Sequence, residues 1–96
     1  MRKKENMSEI RVSRYDHYRA AKSFESKGQY DEALQEYAKA IEISSDYIHA
    51  WFYKSRLHHR LHQYKEAKRC AERALELAPA WEKHIRPIIH DCNCQE

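Results

Sequence analysis

Three observations predict an all-α chain, a solenoid of helical hairpins with about five helices. The first is an internal repeat. The stretch GQYDEALQEYAKAIEI, residues 28–43, returns 34 residues later as HQYKEAKRCAERALEL, residues 62–77. Gln29, Tyr30, Glu32, Ala33, Ala40 and Glu42 recur as Gln63, Tyr64, Glu66, Ala67, Ala74 and Glu76, six identities in sixteen aligned positions. A period of 34 residues is that of a helix–turn–helix unit. The second observation is the spacing of Ala33 and Ala40. Alanines seven apart stand two turns apart on one helix face and let a neighbouring helix approach closely. The third is composition: one glycine, two prolines and 34% charged residues in 96 suit a helical, water-exposed chain with few breaks.

Each element follows from period and punctuation. Residues 1–9, MRKKENMSE, show no apolar helical pattern and read as a flexible basic arm. The first helix, about residues 10–26, carries Tyr15, His17, Ala20, Ala21 and Phe24 at three- and four-residue spacing, and Gly28 ends it as a left-handed cap. The second spans about residues 30–43. Ser44, Ser45 and Asp46 supply turn and N-cap oxygens, and the third helix follows over residues 48–61 with Trp51, Ser55 and His58 turned to its partner. His62 occupies the place of Gly28, so it must take a positive φ or the turn must tighten, at a cost of about 1 kcal/mol. The fourth helix covers residues 64–77, and Pro79 opens a fifth segment as its first residue. There Trp81, Ile85, Ile88 and Ile89 fall on one stripe suited to capping the fourth helix, a flank that a second subunit would otherwise cover. Pro87 lies within it and predicts a kink or a short helix starting at that residue. The expected organisation is one domain over residues 10–90, with repeats at 14–47 and 48–81 and a capping helix at 79–90, then a flexible tail at 91–96.

Composition excludes several classes. A chain of 96 residues buries too little surface for a large enclosed active site. No apolar run approaches the roughly 18 residues that cross a membrane. The basic start lacks the apolar core of a secretory signal, and three cysteines make no even disulfide framework, so a cytoplasmic location is expected. A net charge of +3 is too mild to imply nucleic acid without a clustered patch.

The pattern resembles the tetratricopeptide repeat. Its aromatic and small positions fall on His17, Ala20, Ala21, Phe24, Ala33, Tyr37, Ala40 and Ser45 in the first copy. In the second they fall on Trp51, Lys54, Ser55, His58, Ala67, Ala71, Ala74 and Pro79. His17, Lys54, His58 and Ser45 depart from the family's tryptophan, leucine, tyrosine and proline. The resemblance implies a right-handed superhelical stack of the helices and a protein-binding scaffold whose first helices line a concave groove. Carried onto this chain, the inner face comprises Tyr15, Tyr18, Lys22 and Glu25, then His49, Phe52, Tyr53, Arg56, His59 and Arg60, with Lys83 and Arg86 continuing the row. The same residues recur at three- and four-residue spacing, so they share a face opposite the packing alanines.

That face is aromatic and basic and suits a partner peptide with acidic and apolar groups. Two alternatives use the same residues: a self-associating scaffold in which the aromatics cover a core or dimer contact, and, more weakly, RNA stacked on rings and neutralised by the cations. A co-chaperone subset of the family clamps heat-shock C-termini with a lysine and an asparagine on the first helix, an asparagine on the third and two basic residues on the fifth. Tyr18, Lys22 and Tyr53 stand at the first three of those places and only Lys83 meets a later one, so this clamp is not expected. No cofactor, metal site or catalytic activity is expected either. His58 and His62 are four apart, but His62 lies in a turn and no glutamate follows His58. His90, Cys92 and Cys94 offer three donors where a closed site needs four, and Cys70 reads as a small helix residue. No phosphate loop, nucleophile elbow or acid pair occurs.

Overall fold

The computed structural model describes residues 7–95. Its elements are α1 (Met7–Ser26), α2 (Tyr30–Ile43), α3 (Ile48–Arg60), α4 (Tyr64–Leu77), a 3-10 turn (Pro79–Trp81) and α5 (Glu82–Gln95). The described residues form two compact units, one ending at Tyr47 and the other beginning at Ile48. The described residues contain helices and turns and no strand.

In the first unit α1 packs along α2. Helix α1 begins three residues before the expected start, so residues 7–9 of the expected arm form its first turn; residues 1–6 lie outside the described residues. Ala33, Tyr37 and Ala40 make the buried face of α2, and Ala21 is buried on α1. Small side chains bring two backbones close, while Tyr37 fills the remaining volume and donates its hydroxyl to Glu25 Oε1 at 2.9 Å. His17, at the family's tryptophan position, instead donates from Nδ1 to Glu36 Oε1 at 2.7 Å, which lowers the Glu36 pKa.

The turn after α1 is a Schellman motif. Gly28 N–H donates to Glu25 O and Gln29 N–H to Phe24 O, with Gly28 at φ 78°. The turn after α3 repeats it bond for bond. His62 N–H donates to His59 O and Gln63 N–H to His58 O, with His62 at φ 61°. The positive φ expected at His62 is present. The chain accepts the left-handed cost because the alternative is to leave carbonyls at the end of α3 unbonded.

In the second unit α4 packs against both α3 and α5. Ala67, Cys70, Ala71 and Ala74 form its buried face. Phe52 of α3, Ala71 and Ala74 of α4, and Ile85 of α5 make one cluster, bordered by Trp51, Trp81, Ile88 and Ile89. The expected stripe on the last segment therefore does cap α4. His58 is buried at the end of α3 and donates from Nδ1 to Gln63 Oε1 at 2.6 Å; burial lowers its pKa and also raises that of the Cys70 thiol.

Two expectations about the last segment are corrected. Pro87 neither begins a helix nor ends one; α5 starts at Glu82 after the 3-10 turn and runs through it. Residues 91–95 continue α5 rather than forming a flexible tail, because Cys92 extends the Ile85 and Ile88 stripe by one turn and is fully buried. Glu96 lies outside the described residues.

Candidate functional site

Helix α3 offers one face with residues at positions 49, 52, 53, 56, 59 and 60, and α5 closes over part of it. Between them lies an open hollow of about 830 Å³ lined by Phe52, Tyr53, Arg56, His59 and Arg60 from α3 and by Ala80, Trp81, His84 and Ile88 from the 3-10 turn and α5. Five expected site residues therefore come together. Phe52 differs in role from the expectation of an exposed groove residue. It is only 8% exposed, because Ile85 and the alanines of α4 enclose it, and one edge of its ring forms the floor.

The floor is rigid. Tyr53 and Trp81 meet the Phe52 ring edge-on at 5.2 and 5.3 Å between centroids, and His84 lies 6.3 Å from Trp81. Offset and edge-on ring pairs of this kind fix side chains in one arrangement. The Arg56 guanidinium sits 5.3 Å from the Tyr53 centroid and 5.9 Å from that of Phe52. Stacking on these ring faces holds the cation in place while its planar N–H edge stays available for a carboxylate. His59 is oriented by a hydrogen bond from Nε2–H to Asp91 on α5, and Arg60 is exposed on the next turn.

Other expected residues stand elsewhere. His49 lies outside the hollow and packs edge-on behind Trp81, centroids 5.3 Å apart. Lys83 and Arg86 do not continue the row. A step of 100° per residue turns Lys83 away from His84, and both cations line a second hollow, about 900 Å³, with Glu82, Pro87, Ile89, His90 and Asn93. In the first unit Tyr15 is half exposed, Lys22 is exposed, and Tyr18 packs among Tyr15, Tyr37 and Tyr47 at 5.9 to 6.3 Å. Arg14 covers the Tyr47 ring at 4.4 Å and bonds Ser44 Oγ at 2.9 Å, while burial raises the Tyr47 pKa.

Sequence reasoning placed Trp81 and Ile88 only in the cap and passed over Ala80 and His84. The signal was present: Trp81, His84 and Ile88 follow the i, i+3, i+7 spacing of a single face. The three C-terminal donor residues separate, with Cys92 buried while His90 and Cys94 are exposed. Among the described residues no three His, Cys, Asp or Glu side chains are grouped to hold a metal ion, and no helix is long and apolar enough to cross a membrane.

Paired helices closed by Schellman turns, small residues at their contacts and an aromatic hollow on the first helix of the second hairpin define a helical-repeat protein of the interaction type. The sequence pattern of the tetratricopeptide repeat family matches residues 26–85, and the chain belongs to that family. It is similar to the uncharacterized protein MJ0572 of Methanocaldococcus jannaschii, 36% identical over 69 residues that span 72% of this chain and 76% of that protein. Family members are in general protein–protein interaction modules and typically non-catalytic.

Proposed function

We propose that the chain is a cytoplasmic, non-catalytic module that holds an extended partner peptide in the hollow between α3 and α5, with acidic groups on Arg56 and Arg60 and an apolar anchor on Phe52, Tyr53 and Trp81. The observation that carries this reading is the Arg56 guanidinium seated on the Tyr53 and Phe52 rings at the mouth of that hollow. A cation already held in position loses little freedom when it pairs with a carboxylate, and fixed aromatic rings supply contact area at low entropy cost. Tyr15, Tyr18 and Lys22 offer the same chemistry on α1. Three free cysteines, two of them buried, suit a reducing compartment.

Peptide arrays in which Asp or Glu flank a large apolar residue test the reading, followed by affinity measurements on the peptides retained. Arg56→Glu should weaken binding more than tenfold while leaving the melting temperature nearly unchanged, since Arg56 is exposed. Tyr53→Ala should weaken binding with little change in its salt dependence. Wild-type affinity in both variants would place the partner surface elsewhere. Binding that falls steeply with salt and is competed by unrelated polyanions would instead identify RNA as the ligand.

A further inference from the structure

The outer face of α5 carries a feature that the peptide reading does not use. His90 and Cys94 are four residues apart, both exposed, with Nε2 and Sγ 3.7 Å from each other. Zinc binds histidine nitrogen at about 2.0 to 2.1 Å and cysteine sulfur at about 2.3 Å, and a tetrahedral angle between such bonds separates the two donors by about 3.6 Å. The separation of the imidazole nitrogen and the thiol sulfur therefore matches the bite of one tetrahedral metal ion. Metal binding would replace the thiol proton, which leaves to solvent, with a sulfur–metal bond; no oxidant or reductant is involved.

One chain supplies two donors, and among its described residues no third His, Cys, Asp or Glu joins them. A closed tetrahedral site needs four. An identical pair on a second copy, related by a two-fold axis, completes a His2Cys2 set without any new residue type. The pair stands at the edge of a hollow whose lining also includes Glu82, Lys83 and Asn93. Pro87 is exposed and Ile89 half-buried beside His90 in the hollow of about 900 Å³, and the nearby Arg86 charge is paired with Glu82. We propose that His90 and Cys94 form half of a zinc-class site, closed by the same two residues of a second copy of this chain. This departs from the expectation that no metal is bound. Spacing alone showed three separate donors near a chain end, whereas the helix buries Cys92 and leaves the other two in register.

The test is a titration of the full, reduced chain with Co²⁺, followed by displacement with Zn²⁺. Thiolate ligation should give a near-ultraviolet charge-transfer band and tetrahedral visible bands that saturate at one metal per two chains, and zinc should double the sedimenting mass until a chelator reverses it. Cys94→Ser should abolish the charge-transfer band and His90→Ala should weaken binding at least tenfold. Both variants should keep the wild-type helical content, because both side chains are exposed. Absence of the band, its survival in Cys94→Ser, or saturation at one metal per chain without change of mass would overturn the proposal.

Discussion

Gly28 and His62 occupy the same place in two copies of one turn, at φ 78° and 61°, with the same two backbone bonds around each. A Cβ placed at Gly28 would meet nothing within 4 Å, so the cost of a side chain there is the backbone angle alone, about 1 kcal/mol. His62→Gly should therefore raise stability in urea unfolding by up to about 1 kcal/mol, reduced by loss of the exposed bond between His62 Nδ1 and the Tyr64 hydroxyl. Gly28→Ala should lower it by a similar amount. A less stable His62→Gly would mean that the tyrosine contact outweighs the strained angle. His58 makes a second prediction. Burial lowers its folded pKa below the ordinary value near 6.5, so the unfolded chain binds more protons below that pH. The stabilising contribution is complete above about pH 6.5 and is lost as pH falls from there towards the folded pKa. His58→Phe, which copies Phe24 of the first repeat, should flatten the stability profile below about pH 6.5. A variant with the wild-type slope would assign that slope to another group.

At the scale of elements, α4 is a helix with two neighbours. Its alanines at 67, 71 and 74 let α3 and α5 approach, and Ile85 fills the space between all three helices. Removing the chain from Trp81 onwards would uncover Phe52, Ala71 and Ala74. The shortened chain should melt at a lower temperature or aggregate, as repeat units do when an apolar flank loses its cover. An unchanged melting temperature would reduce α5 to an appendage. The helix carries Pro87 because that residue is exposed and its ring displaces nothing from the core, while Ile85, Ile88 and Cys92 hold the segments on both sides against the rest of the unit. Packing on the buried stripe outweighs the single backbone bond that proline cannot make. That balance explains why no new helix begins at Pro87: burial of the stripe on both sides, which local propensity does not contain, keeps one helix running through it.

For the molecule as a whole, the all-helical character, the repeat and its turns were legible because helical hairpins are local structures. Period, capping residues and small-residue spacing act within one or two turns of the chain, and Ala33, Ala40 and Gly28 each have counterparts 34 residues on. The aromatic and basic face of α3 was legible for the same reason: a 3.6-residue period assigns side chains to faces without reference to any neighbour. Tertiary structure alone decided which of those side chains stay open to a ligand. Phe52 became a floor because Ile85 reaches it across 33 residues of sequence, Lys83 turned to the outer face because α5 docks through Ile85 and Ile88, and Trp81 and His84 became walls of the hollow by the same docking. Cys92 was likewise drawn inward, separating it from His90 and Cys94. Sequence period sets the angle of each residue around its own helix axis, but the rotation at which one helix meets another depends on burying the largest apolar area along all its contacts together.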